Sequence, residues 1–146
     1  MFPRNVLRIA TRIAIVTGIF ALGFFAGEER GKAAKKPMVY ELRTYYTHPG
    51  KLNDLLARFR NHTTKIFERH GMKNVWYGVP QDAPKKDNTL VYLLAHESRD
   101  AAKKSWDGFR ADPEWKKVQT ASEANGKIVE KVESIYIDPT DFSAMK

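Results

Sequence analysis

The spacing of apolar residues between Lys51 and His70 predicts an amphipathic helix that ends at the C-cap residue Gly71. The apolar positions follow the i, i+3, i+4 spacing of one helix face, and they are Leu52, Leu55, Leu56, Phe59, Ile66 and Phe67. Two polar residues, His62 and Thr63, interrupt this stripe where a plain core would place Leu or Ile. Buried polar groups must find hydrogen-bond partners or cost stability, so this pair is the first candidate for ligand binding or chemistry.

Runs of β-branched and aromatic residues predict four strands around this helix. The strands cover Val39–Tyr46, Lys73–Val79, Thr89–His96 and Lys127–Ile137. A second helix is predicted over Asp100–Arg110, with Ser98 as its N-cap. Asp112 caps a third, short helix, which Pro113 opens and which runs to about Glu123.

The resulting order, β-α-β-β-α-β, predicts an α+β domain of the ferredoxin-like class. Its helices would cover one face of a four-stranded sheet and leave the other face open. The third strand is apolar on both faces, and the first strand places Tyr40, Leu42 and Tyr46 on one face. A monomer would therefore expose a large apolar patch. We expect two sheets to pack face to face in a homodimer, with a candidate cavity between them.

The other face of the first strand carries Glu41, Arg43 and Tyr45. If this face points into the barrel, the two charged residues must pair with each other, across the dimer, or with a ligand. Arg43 would suit a carboxylate or another anion. Tyr45 and Tyr77 could line the same cavity.

Two histidines are the candidates for catalysis. His62 could act as a general base, a haem ligand or a hydrogen-bond donor to a ligand carbonyl. His96 ends the third strand, where its side chain could reach the mouth of the barrel. The structural alternative for both is a core histidine that bonds to a neighbouring side chain or to the backbone.

Charge and composition exclude several function classes. The net charge is +8, but residues 1–36 carry seven basic and two acidic side chains, whereas residues 37–146 carry 18 and 15. The basic excess is therefore mostly a property of the N-terminal segment, and nucleic-acid binding is not predicted.

Since the chain has no cysteine, disulfides and thiolate ligands are excluded. No metal-binding, P-loop or Rossmann motif is present, so no metal or cofactor is predicted, with haem left open for His62.

Residues 1–26 predict a targeting segment. A basic region without acidic residues precedes Ile13–Ala26, an uncharged run of 14 residues. This layout indicates a signal peptide, or an uncleaved signal-anchor transmembrane helix. In either case the domain at 38–146 would lie on the extracytoplasmic side of the membrane, joined through a charged linker at 27–37. The alternative is a mitochondrial leader, since Arg4, Arg8 and Arg12 follow helical spacing.

Four segments resemble the NIPSNAP family, and they are VYELRTY at Val39–Tyr45, FRNHTTKIFERHGM at Phe59–Met72, LVYLLAHES at Leu90–Ser98 and SWDGFRADPEW at Ser105–Trp115. The resemblance covers the chain from about Met38 onward and implies a dimeric α/β barrel. It brings no general enzymatic activity or catalytic residues. Family members have been linked to vesicle transport and mitochondrial quality control, but this chain departs from the mitochondrial members in having one domain and a secretory-type leader, so the mitochondrial roles are not carried over.

Three functions are therefore considered. The first is a homodimer, exported or anchored by its leader, that binds a small molecule or a protein partner in or around the barrel. The second is a monooxygenase-like or haem-binding enzyme that uses His62 or His96, by analogy with related barrels. The third is a structural interaction module that acts through its outer surface.

Overall fold

A computed structural model of the protein describes residues 38–145. The strands are β1 (Val39–Thr47), β2 (Lys73–Gly78), β3 (Thr89–His96) and β4 (Val129–Ile137). The helices are α1 (Leu52–Arg58), α2 (Thr64–Arg69), α3 (Arg99–Ala111) and α4 (Pro113–Ser122), with a π turn at Phe59–Thr63 that joins α1 to α2 and a 3₁₀ turn at Lys85–Asp87. The leader and linker predicted within residues 1–37 lie outside the described residues, so they stay predictions. No helix within residues 38–145 has the length and apolar character needed to cross a membrane.

The four strands form one antiparallel sheet in the order β2-β3-β1-β4. This order confirms the predicted α+β, ferredoxin-like fold. The central strand β1 pairs with β3 so that Leu42 lies opposite Leu93, and it pairs with β4 so that Leu42 lies opposite Ile135. β4 is therefore an edge strand, with one face toward the helices and one face away from them.

The predicted helix ends are confirmed by their caps. The side chains of Ser98 and Asp112 accept hydrogen bonds from backbone amides in the first turns of α3 and α4. At the end of α2, Gly71 adopts a φ of 78°, which favours glycine, and the Met72 amide donates to the Phe67 carbonyl at 3.0 Å. These caps fix the residues at which the helices begin or end.

The core lies between the helices and one face of the sheet. Its buried side chains are Leu52, Leu55, Phe59, Ile66, Phe67, Met72, Leu90, Tyr92, Leu94, Trp106, Phe109 and Ile128. Tyr92 lies at the centre, and its ring centroid is 5.2 Å from that of Phe59 and 5.3 Å from those of Tyr45 and Tyr77. Aromatic contacts therefore hold the helices on this face.

The opposite face of the sheet is apolar toward the Tyr40 end of β1 and only partly covered, whereas Lys131 and Glu133 make it charged toward the Tyr46 end. It carries the side chains of Tyr40, Leu42, Trp76, Val91, Leu93, Ile135 and Ile137. Of these, Trp76 is 54% exposed and Ile135 is 57% exposed. An apolar surface of this kind marks an interaction site in soluble proteins. We call it the open face.

Candidate functional site

The helix between β1 and β2 widens into a π turn at its midpoint. In this turn the Thr64 amide donates to the Phe59 carbonyl, five residues back. Two hydroxyl groups also donate to the carbonyl group five residues earlier: Thr63 Oγ1 donates to the Arg58 carbonyl and Thr64 Oγ1 to the Phe59 carbonyl, both at 3.2 Å. These side chains satisfy carbonyl groups that the wider turn would otherwise leave weakly bonded.

The π turn corrects the prediction that His62 lies in the buried stripe. An uninterrupted α-helix would bring His62 onto the same face as Phe59 and Ile66, which are three and four residues away. The wider turn instead rotates His62 outward, so that its side chain is exposed, and keeps Thr63 inward, so that it is 1% exposed. Of the predicted pair, only Thr63 is buried.

A cavity of about 340 Å³ lies beside the π turn, between the helices and β4. We call it the aromatic chamber, and its lining residues are Tyr45, Arg58, Phe59, Thr63, Phe67, Phe109, Trp115, Gln119, Glu123, Lys127, Val129 and Val132. Its volume falls within the roughly 300–1,000 Å³ of small-molecule sites, and its mostly apolar lining with a few polar groups is also typical of them.

Arg58 is the most buried charged group of the chamber wall, at 5% exposure. Its Nη1 donates to Ser122 Oγ at 3.2 Å and to Glu123 Oε1 at 3.1 Å, and its guanidinium lies 5.3 Å from the ring centre of Trp115. Its Nε is buried without a hydrogen-bond partner in the described part of the chain. Lys127 adds a second cation to the lining.

Glu41 forms a separate, buried polar cluster, and its side chain is 1% exposed. Its carboxylate accepts hydrogen bonds from Arg43 Nη1 and Ser134 Oγ, both at 2.6 Å, from Trp106 Nε1 at 2.7 Å and from His96 Nε2 at 3.0 Å. A carboxylate offers about four lone-pair sites, so these four donors saturate it.

The cluster keeps Glu41 ionised. Burial raises the pKa of Glu41, but the hydrogen bonds from His96, Ser134, Trp106 and Arg43 outweigh burial and hold the pKa at about 2. β1 turns this face toward the helices, where Trp106 of α3 meets Glu41. Glu41 and Arg43 therefore do not point between two sheets, and their ion pair is made within the chain.

The seven predicted residues separate into four locations. Thr63 and Tyr45 line the aromatic chamber, whereas Glu41, Arg43 and His96 form the polar cluster, Tyr77 stacks on Tyr92 in the core, and His62 lies at the surface. Tyr77 also donates through its hydroxyl group to Asn74 Oδ1. His96 is fully buried, and its Nδ1 has no hydrogen-bond partner within residues 38–145.

Sequence reasoning missed Arg58 and Glu123 as members of the site. Arg58 follows Leu55 by three residues, so it occupies a position of the apolar stripe, and a charge at such a position is a signal that could have identified it. Glu123 carries no comparable signal, because its role depends on where the end of α4 meets α1.

A larger but shallower groove lies outside the chamber, between α1 and α4. Its volume is about 610 Å³, and His62 lies on its rim among exposed polar side chains such as Asp54, Glu114 and Lys117. The aromatic chamber is the better ligand site because five Phe, Tyr and Trp rings line it and none lines the groove; Arg58 lies between the two and lines both. The part of the chain that the structure describes holds no group of three side chains placed to bind a metal ion.

Comparison with known proteins connects this geometry to a family. A NIPSNAP family protein from Agrobacterium tumefaciens is 24% identical, with a TM-score of 0.65 over 76% of this chain and 96% of that chain. A NIPSNAP-like domain protein from Burkholderia xenovorans is 18% identical, with a TM-score of 0.64 over 74% of this chain and 90% of that one. SnoaB, a cofactor-independent oxygenase from Streptomyces nogalater, is 18% identical, with a TM-score of 0.50 over 74% of this chain and 98% of SnoaB.

The likeness to these structures shows the shared fold, and the sequence shows the family. No curated protein matches the chain. The sequence profile of NIPSNAP, however, matches residues 40–144, which span β1 to the C-terminal tail and include both the aromatic chamber and the polar cluster. This chain therefore belongs to the NIPSNAP family.

Proposed function

We propose that this chain is a homodimer that binds a small, planar, largely apolar molecule in the aromatic chamber. The observation that carries this proposal is a solvent-connected cavity with aromatic walls beside a π turn, a helix irregularity frequent at functional sites. The walls are ordered by ring contacts, with centroids 4.9 Å apart for Phe67 and Phe109 and 4.4 Å apart for Phe109 and Trp115. Phe67 is fully buried and Phe109 is 4% exposed, so these two rings support the wall from behind, while the partly buried rings of Tyr45 and Trp115 present apolar surface to a planar guest.

Binding without catalysis is the simpler function for this site. The enzymatic alternative depends on His62 or His96, and neither residue lines the chamber. His62 is exposed, and His96 is held by Glu41. The oxygenase SnoaB shares the fold, but a shared fold does not carry a reaction with it.

Closing the chamber mouth should weaken binding strongly. Val132 lies on β4 opposite Tyr45, lines the chamber and is 41% exposed, so Val132→Trp would fill the mouth without changing the core. We expect the full chain to bind 2-naphthamide in titration calorimetry, and the Val132→Trp variant to bind it at least about tenfold more weakly.

The control is Lys103→Trp on α3, where the Lys103 side chain is 78% exposed and lies outside both the chamber lining and the open face. This variant should bind 2-naphthamide like the unmodified chain. Absence of binding to the unmodified chain at millimolar concentration, or equal binding by Val132→Trp, would contradict the chamber as the binding site.

The open face should form the dimer interface. A twofold interface uses the same surface of both copies, so Ile135→Lys would introduce two charges into it. We expect sedimentation velocity to show a dimer for the full chain and about a hundredfold weaker association for Ile135→Lys, because buried unpaired charge is costly. Val132→Lys, on the same strand but facing the chamber, should leave the dimer intact. A monomeric full chain at micromolar concentration would overturn this part of the proposal.

A further inference from the structure

The polar wall of the aromatic chamber indicates the chemistry of its ligand. Arg58 is nine-tenths buried, and a buried guanidinium is costly unless carboxylates or other acceptors compensate it. Both of its side-chain hydrogen bonds within residues 38–145 leave from Nη1, and its Nε has none. Arginine and carboxylate groups commonly pair through two parallel bonds, so this arrangement leaves donor capacity of Arg58 unused.

The anionic partner of Arg58 is weakly held. Glu123 is the C-cap residue of α4, and its side chain is 22% exposed at the chamber wall. Its single bond to Arg58 is 3.1 Å long, whereas charge-assisted bonds of this type are about 2.7–2.9 Å. The Glu123 carboxylate therefore marks a position near Arg58 that an anion can occupy. When another anion takes this position, the Glu123 side chain can turn to solvent.

The charges of the chamber favour an anion over a neutral ligand. The lining contains two basic side chains, Arg58 and Lys127, and one acidic side chain, Glu123, which leaves one formal positive charge in excess. The guanidinium also lies 5.3 Å from the ring centre of Trp115, so a planar ring along the aromatic wall would place a substituent close to it.

We propose that the ligand of the aromatic chamber is a planar aromatic carboxylic acid, whose carboxylate replaces Glu123 as the partner of Arg58. This inference rests on the proposed function, because it requires the chamber to be the binding site. The ring of the ligand lies against Trp115, which Phe109 supports from behind, and Lys127 adds a second positive charge to the site.

A matched pair of probes separates charge from shape. 2-Naphthoate and 2-naphthamide have the same rings, and only the first carries a carboxylate. In titration calorimetry on the full chain near neutral pH, we expect 2-naphthoate to bind about tenfold or more tightly than 2-naphthamide. Glu123→Gln removes the resident anion, so it should strengthen 2-naphthoate binding by about threefold to tenfold more than it changes 2-naphthamide binding.

Two further variants control this result. Glu114→Gln changes an exposed glutamate on α4 that pairs with Arg69 outside the chamber, so 2-naphthoate binding should stay within about twofold. Arg58→Met should bring 2-naphthoate down to the affinity of 2-naphthamide. If Arg58→Met does not fold, as judged by circular dichroism, the test of the carboxylate is the comparison of 2-naphthoate binding by Glu123→Gln and by Glu114→Gln.

The outcomes separate this inference from the proposed function. Equal affinity for the two probes, together with no response to Glu123→Gln, would overturn the carboxylate and leave the chamber as a site for neutral molecules. Failure of both probes to bind, or binding that Val132→Trp does not reduce, would overturn the chamber itself.

Discussion

Replacing Glu41 by alanine is expected to destabilise the domain by about 3–5 kcal/mol, because it removes one partner of a buried ion pair. The substitution leaves Arg43, His96, Trp106 and Ser134 without the acceptor that each of them reaches at 3.0 Å or less. Each buried donor that loses its acceptor lowers the free energy of unfolding by about the free energy of its own desolvation. Urea denaturation followed by circular dichroism measures the loss.

Two further variants serve as comparisons for Glu41→Ala. Glu41→Gln keeps the shape and one acceptor oxygen but loses the charge, so its free energy of unfolding should lie between those of the unmodified chain and Glu41→Ala. Glu97→Ala removes an exposed glutamate just after β3 and should change stability by less than about 0.5 kcal/mol. A loss below about 1 kcal/mol for Glu41→Ala would show that the cluster contributes little net stability.

Stability should fall steeply in acid because of the same carboxylate. Its pKa in the folded chain is about 2, below its ordinary value of 4.5, so its contribution is fully present above pH 4.5 and is lost as the pH falls toward 2. The difference corresponds to about 3 kcal/mol, at about 1.4 kcal/mol for each tenfold change in proton affinity. The free energy of unfolding between about pH 6 and pH 2.5 measures this dependence.

Glu41→Gln isolates the part of the acid dependence that Glu41 contributes. Other carboxylates act in the same direction, since hydrogen bonds from Arg69 and His70 lower the pKa of Asp112. The Glu41→Gln variant should therefore keep a shallower acid dependence than the unmodified chain. Parallel curves for the two proteins would rule out Glu41 as a source of the acid sensitivity.

The elements of the fold were predictable because local chemistry determines them. Thr89–His96 was predicted with the bounds that β3 has, and Ser98, Asp112 and Gly71 end or begin helices where the sequence indicated. Caps, strand alternation and the order of elements are properties of short segments, so a single sequence contains them.

The π turn was not predictable from periodicity. The apolar stripe fits an uninterrupted α-helix, which is why His62 was placed inside it. The widened turn depends on the Thr63 and Thr64 hydroxyl groups, which compete for backbone carbonyls in a way that an apolar pattern does not record.

The candidate site was only partly predictable because its parts are distant in sequence. The alternation of β1 indicated that Glu41 and Arg43 share a face, but not that His96, Trp106 and Ser134 would meet them there, 55, 65 and 93 residues away. Likewise Arg58 meets Glu123 across 65 residues. Periodicity identifies the buried face of each element, whereas packing decides which faces meet.

In terms of chain length, the π turn is a single extra residue in an otherwise regular helix. The flanking helices α1 and α2 already present buried residues to the sheet, so deletion of one residue within 60–62 can be absorbed by relaxing this turn to α-helical geometry. The same deletion inside α3 would rotate the rest of that helix by about 100° away from the core. Length variation at the π turn therefore offers a way to reshape the chamber wall while the fold stays the same.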